Sequence, residues 1–273
     1  MQVPPDALPP RPSPAAALLG AVRVVGVLGL LVGGTVVLLG AALLPVRLGD
    51  ARPAERVAVG LCRAFLRVTG ISLRVEHAER LREHRGFVFF NHLSWLDPLV
   101  LVAVRPLRFL STLGVRFLPF IGWMATALGT IYVHRGRDAS REKARTDLTE
   151  AVAASPTPVA VAPEGKIGPG PGVLPFRHGA FEVAADAHAD VLLVALRFEP
   201  HAYALWQDGE WLTTALWRLC ARTTPFAAHV LPLTPTLDPE ADAPGALAAE
   251  AERRLDEVLV PASGPSTPLR RAL

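Results

Sequence analysis

From Val24 to Val46 the chain runs 23 residues without a charged side chain. As a helix at about 1.5 Å per residue this run reaches roughly 34 Å, enough for the apolar core of a bilayer. A cleaved secretory leader is the competing reading, but the run is long for one and lacks a clear A-x-A site. Segment 15–47 is therefore read as a retained membrane segment. Gly33 and Gly34 in mid-run leave open whether it spans or forms a re-entrant pair. Gly29 and Gly33 match a small-xxx-small helix contact. Residues 1–14, with six prolines, read as an unfolded lead-in.

Segment 51–70 reads as an amphipathic basic helix. At 100° per residue Arg56, Arg63 and Arg67 share one side, while Val57, Leu61, Phe65 and Val68 share the other. Such a helix suits a membrane–water interface, where guanidinium groups meet lipid phosphates. A surface helix packed on the domain is the plainer alternative. Arginines after the apolar run (Arg47, Arg52, Arg56, Arg63, Arg67) outnumber those before it (Arg11, Arg23), which puts the C-terminal part on the cytoplasmic side of the cell membrane.

From residue 71 short apolar runs alternate with helical stretches. The strands expected are Ser72–Glu76, Gly86–Phe90, Arg108–Thr112, Gly129–His134, Val159–Ala162, Val191–Phe198 and Ala228–Leu231. The helices expected are Trp95–Val104, Phe120–Leu128, Ser140–Ala154, Ala180–Ala189, Gln207–Ala221 and Pro244–Val258. This alternation predicts an α/β domain over 71–260 with a largely buried sheet flanked by helices, followed by a loose tail at 261–273. A net charge of +3 with no aromatic-interleaved basic run argues against nucleic acid. Cys62 and Cys220 lie far apart in apolar stretches, which predicts buried free thiols, no zinc site and a reducing compartment. With 51% hydrophobic and 19% charged residues, disorder is excluded.

Chemistry concentrates at strand ends. Asn91-His92-Leu93-Ser94-Trp95-Leu96-Asp97 follows the strand GFVFF. If the chain turns there, Asp97 can fix the His92 tautomer and make it a general base, with Ser94 capping the next helix. Alone, the spacing fits a plain helix cap equally well. Three further strand ends accompany it: Gly129-Thr130-Ile131-Tyr132-Val133-His134-Arg135, Ala162-Pro163-Glu164-Gly165-Lys166, and the basic turn Phe176-Arg177-His178-Gly179. Cationic groups and glycine turns gathered on one sheet edge suit a phosphate.

In order and spacing these pieces resemble the four-motif pattern of the lysophospholipid acyltransferases, also called the 1-acylglycerol-3-phosphate O-acyltransferase or glycerolipid acyltransferase family. NHLSWLD stands for the NH-x₄-D motif, GTIYVHR for G-x-I-x-x-x-R, APEGK for F-P-E-G-T and FRHG for F-[KR]-x-G. The resemblance covers roughly residues 55–235. It implies a glycerol-3-phosphate acyltransferase-like mixed sheet with an N-terminal membrane-associated helical segment. It also implies that His92 and Asp97 are catalytic, and that Asn91, Ser94, Arg135, Glu164, Gly165, Lys166 and Arg177 bind substrate. The reaction implied is acyl transfer from acyl-CoA or acyl carrier protein to the free hydroxyl of 1-acylglycerol-3-phosphate at a membrane lipid surface, with no cofactor and no metal. Acylation of another lyso-lipid, such as a lyso-ornithine lipid, is the alternative. A non-catalytic lipid-binding protein and a hydrolase are the more distant ones. Four positions depart from the family pattern: Ala162 for Phe, Lys166 for Thr, Thr112 for a Lys, and Leu193 for a Pro. Lys166 is expected to supply the phosphate-binding charge that Thr112 lacks.

Overall fold

The computed structural model describes residues 12–134, 136–170, 172–206 and 209–260. The lead-in before Pro12, Arg135 and the tail from residue 261 lie outside the described residues. Helix α1 (Pro14–Ala42) opens the described chain, with Ser13 Oγ accepting from the Ala16 N–H at 3.3 Å. Helix α2 (Pro53–Thr69) follows and ends on Gly70, whose φ of +68° suits a residue without a Cβ.

Seven strands, β1 (Ile71–Val75), β2 (Phe87–Phe90), β3 (Arg108–Thr112), β4 (Ile131–Val133), β5 (Val159–Val161), β6 (Val191–Glu199) and β7 (Phe226–Pro232), form one sheet ordered β1-β7-β6-β2-β5-β3-β4. Strands β6, β2, β5, β3 and β4 run parallel. Strand β7 is antiparallel to β6, and β1 runs parallel to β7, so the sheet is mixed. Strands β2, β5 and the first six residues of β6 are continuously apolar because both faces are covered there. Phe87 and Phe89 of β2 face a core with α7 (Asp138–Ala154), α8 (His178–Asp186) and α10 (Pro244–Leu259). Val88 and Phe90 face the other core, with α2 and α4 (Asp97–Val104). The short helices α3 (Ala78–Glu83), α5 (Leu113–Arg116) and α6 (Ile121–Ala127), a 3₁₀ turn at His201–Tyr203 and α9 (Leu212–Cys220) are the remaining elements among the described residues. Helices α3 and α5 have no counterpart in the sequence periodicity, being too short to show one. The start expected for α9 at Gln207 falls on a position outside the described residues.

The two N-terminal helices pack on the rest of the chain. Helix α2 lies against both α1 and α4, as in the packed-helix alternative. Its arginines Arg56, Arg63 and Arg67 are all exposed; Arg63 also donates to the Ala103 carbonyl at 2.8 Å at the end of α4, and Arg56 to the Leu48 carbonyl. Helix α1 lies against α2, α6 and α9 rather than standing clear of the domain. Gly29 and Gly33 make no helix contact; a Cβ at either would meet nothing within 4 Å. The close approaches are at Gly20, where a Cβ would stand 2.9 Å from Ala221 Cα, and at Gly26 and Gly34, where Val68 and Leu61 of α2 fill the notch. Arg23 locks this arrangement by donating to the carbonyls of Cys220 (3.0 Å) and Arg222 (2.8 Å) at the end of α9. Cys62 and Cys220 are buried free thiols, and burial pushes them up to about 12 and about 11.

Gly20→Val should therefore overpack the α1–α9 crossing against rigid backbone and lower Tm by about 2–10 °C. Gly29→Val should leave Tm unchanged or slightly raised, since a helix favours Val over Gly. Thermal unfolding in detergent separates the two; equal losses would remove Gly20 as the contact point.

Candidate active site

Strand β2 is buried along its whole length and runs parallel to its neighbours, so its C-terminal end delivers Asn91 and His92 to the edge where β5 delivers Glu164. The Asn91 amide is fully buried and acts like a peptide group. Its Nδ2 donates to Leu196 O at 3.0 Å, and its Oδ1 accepts from Leu196 N at 2.7 Å. It thereby extends the β2–β6 ladder past the last paired residue. Expected to bind substrate, Asn91 instead spends both polar atoms on backbone.

Helix α4 begins at Asp97, later than the Ser94 cap expected, and only half of a capping box forms. Asp97 Oδ2 accepts from the Ser94 N–H at 3.0 Å and the Leu93 N–H at 2.8 Å, but Ser94 Oγ accepts from Leu96 N at 3.2 Å. Ser94 too is fully buried and engaged locally. The same Asp97 oxygen lies 2.7 Å from His92 Nδ1. The Asp97 side chain is 0% exposed and that of His92 22%. Burial pushes the Asp97 pKa up, against the opposing pull of the His92 ring and the two peptide N–H groups. A carboxylate made more basic holds the Nδ1 proton firmly, which leaves the lone pair on Nε2.

The third strand end grips His92 by its backbone. Glu164 Oε1 accepts from the His92 N–H at 2.7 Å, Glu164 Oε2 accepts from Leu174 N at 3.0 Å, and Gly168 N donates to His92 O at 2.7 Å. Glu164 is 4% exposed, and burial pushes its carboxyl up to about 7. Gly165 sits at φ +72°, and a Cβ there would stand 2.5 Å from Arg177 Nε, so both conformation and space call for glycine. Lys166 and Arg177 are exposed at this turn, and no hydrogen bond or ion pair engages Lys166 among the described residues. Arg177 N also ties its segment to Pro163 O at 3.0 Å. Arg135, expected to hold the head group, lies outside the described residues. Thr112 ends β3, and Leu193 is fully buried in mid-sheet, paired with Phe89.

Sequence reading missed the outer support of this loop. Asp256 and Glu252 of α10 accept from Val173 N at 2.9 Å and Phe176 N at 2.6 Å. Their i,i+4 spacing was the available sign, since it puts both carboxylates on one helix face. It missed His201 as well, whose ring lies within 2.5 Å of where a Gly170 Cβ would stand. Among the described residues no group of three or more His, Cys, Asp or Glu is placed to hold a metal ion.

Glu164 makes stability pH-dependent. Its ordinary value is 4.5 and its folded value about 7, so between these the folded chain holds a proton that the unfolded chain has released. Stability contributed by this group is present below pH 4.5 and is lost as pH rises through about 7. The unfolding free energy of the wild type relative to Glu164→Gln should fall from pH 5 to pH 8. A flat difference in denaturant titrations at the two pH values would refute this.

Comparison with known proteins agrees with the fold. Residues 72–199 match the family model described as Acyltransferase. A 1-acyl-sn-glycerol-3-phosphate acyltransferase of Neisseria gonorrhoeae is 30% identical over 150 residues, 55% of this chain and 58% of that protein. A lyso-ornithine lipid O-acyltransferase of Rhodobacter capsulatus is 33% identical over 163 residues, 56% of this chain and 58% of that protein. The chain thus spans 58% of the length of each of these two relatives. The crystal structure of the 1-acyl-sn-glycerophosphate (LPA) acyltransferase PlsC from Thermotoga maritima superposes with a TM-score of 0.67 at 18% identity, over 92% of this chain and 97% of that one, a likeness of fold. The match to the Acyltransferase family model thus spans the part of the chain that holds β2 to β6 and the His92–Asp97 pair.

Proposed function

We propose that the protein is an O-acyltransferase that moves a fatty acyl group from a thioester donor, acyl-CoA or acyl carrier protein, to the free hydroxyl of 1-acylglycerol-3-phosphate, giving phosphatidic acid. The observation that carries this reading is the His92 Nδ1–Asp97 contact of 2.7 Å, with a wholly buried carboxylate behind a partly exposed imidazole. His92 Nε2 takes the hydroxyl proton as the lipid oxygen attacks the thioester carbonyl. The new C–O bond forms, the C–S bond breaks, and the departing thiolate takes the proton from the imidazolium. Lys166 and Arg177, cations beside the Gly165 turn, suit an anionic head group.

A second reading has an independent basis: a lyso-ornithine lipid O-acyltransferase is among the relatives, at 33% identity. The chemistry at His92 is then unchanged and only the head-group contacts differ. Membrane association is supported by α1, one helix of 29 residues long and apolar enough to cross a membrane. Its uncovered side carries Leu18, Val22, Val25, Leu28, Val32 and Val36. Because its other side packs on the domain from Gly20 to Leu38, it fits lying in one leaflet better than crossing two. The arginine excess after α1 favours the cytoplasmic face.

Membranes containing the protein, offered labelled acyl-CoA or acyl carrier protein with a panel of lyso-lipids, test this directly. Transfer to lysophosphatidate should fall by about 10²–10⁴-fold in His92→Ala, with a large loss also in Asp97→Asn. Transfer to lyso-ornithine lipid alone would select the second reading. No transfer from either donor to any acceptor would refute both. Lys166→Met should raise KM for lysophosphatidate several-fold with little change in kcat; an unchanged KM would remove Lys166 from the head-group site.

A further inference from the structure

We infer that Glu164 is a positioning residue for His92 rather than a ligand of the lipid head group, an assignment that rests on the acyl-transfer reading above. Both of its oxygens are already committed to peptide N–H groups, of His92 at 2.7 Å and of Leu174 at 3.0 Å, and the side chain is 4% exposed. A buried acid turned inward onto backbone donors is poorly placed to reach a head group, and in its ionised form it would repel an anionic one. It is well suited to holding backbone donors.

His92 is fixed from three directions. Asp97 holds its ring, Glu164 its N–H and Gly168 its carbonyl. The last two contacts come from one loop, and they are sterically linked: a Cβ on Gly168 would stand 3.0 Å from Glu164 Oε2 and 3.5 Å from His92 O. That loop is in turn held at its far end by Asp256 and Glu252 of α10, through Val173 N and Phe176 N. A continuous path therefore runs from α10 through residues 173–176 to Glu164 and into the peptide that carries the base. Asp97 orients the imidazole and, through the Leu93 and Ser94 N–H groups, holds the turn that follows His92. Glu164 and Gly168 hold the N–H and carbonyl of His92 itself. Lys166 lies between them on the same loop, so the cation that meets the head group and the clamp on the base move as one piece.

Full-length protein in detergent provides the test, with kcat and KM measured for Glu164→Ala, Glu164→Gln, Asp256→Asn and Lys166→Met. Glu164→Ala should lower kcat by about 10–100-fold, the scale of a roughly 1 Å misplacement, with acceptor KM changed by no more than about twofold. Glu164→Gln should recover part of this, because its amide oxygen still accepts from the His92 N–H. Asp256→Asn should give a smaller kcat loss of the same kind, and Lys166→Met the opposite split. A raised acceptor KM with kcat preserved in Glu164→Ala or Glu164→Gln would overturn the inference and return Glu164 to the head-group site. A second readout needs no acyl transfer: the rate at which diethylpyrocarbonate modifies His92, read by mass spectrometry against the exposed His188. That rate should change in Glu164→Gln and in Asp256→Asn, folding being checked by thermal unfolding. An unchanged rate in both folded variants would overturn the positioning role. Absent transfer in the wild type with an altered His92 rate would sink the acyltransferase reading alone.

Discussion

A carboxylate with no exposure to water governs the local design of this protein. Asp97 is taken wholly out of solvent, and a bare charge there would cost several kcal/mol. What makes it tolerable is a turn in which the Leu93 and Ser94 N–H groups and the His92 ring all converge on one oxygen. That convergence requires β2 to stop at Phe90 and α4 to begin at Asp97, with its N-terminal dipole favouring the negative charge. Asn91, knitted into β6 on both its donor and acceptor sides, fixes where the turn starts. Asn91 and Ser94 thus form the frame that lets Asp97 be buried, and His92 is the part of the frame that faces outward.

The same economy of backbone groups explains the arginines. A chain with 26 arginines and two lysines reads at first as compositional bias. Several of those arginines nonetheless close helix ends or loops by donating to backbone carbonyls. Arg63 serves α4, Arg23 and Arg222 serve the end of α9, and Arg222 also reaches Gly70 O at the end of α2. Arg105 donates to Leu81 O at 2.7 Å and His84 O at 2.6 Å, and Arg108 to Ala151 O and Thr157 O, both at 2.6 Å. Burial lowers Arg105 and Arg222 to about 10, still charged at neutral pH. A five-donor planar head suits this work better than an ammonium group. The Arg23 contact joins α1 to the end of α9 in the α/β domain, so the domain and the surface it is proposed to rest on are mechanically continuous.

Much of the fold was legible because its signals are local. All seven strands appeared as short apolar runs bounded by turn residues, and the structure places a strand at each. The His92–Asp97 pair was legible because five residues of turn are enough to bring both ends together. The helix contacts of α1 were not, because several glycines in that run look alike in sequence. Only the docking of α2 and α9 makes Gly20, Gly26 and Gly34 the buried ones and leaves Gly29 and Gly33 open. Glu164 was found, but its backbone partners were not. Its glycine-flanked, charged turn suggested a phosphate, whereas its partners are peptide N–H groups 72 and 10 residues away.

By itself, then, the sequence determined the alternation of strands and helices, the apolar N-terminal helix, and the imidazole–carboxylate pair with its nearby cations. Each of these depends on side-chain type and on spacing within a few residues. The tertiary structure alone decided which face of α1 is covered, that α2 is sandwiched between α1 and α4, and that Glu164 with Gly168 holds the His92 backbone while α10 holds Glu164's loop. The physical reason is the same throughout: these contacts are made by backbone N–H and C=O groups and by the absence of a Cβ. Every residue presents nearly the same backbone groups, so their pairing is written in the sheet order and helix docking and not in the letters of the chain.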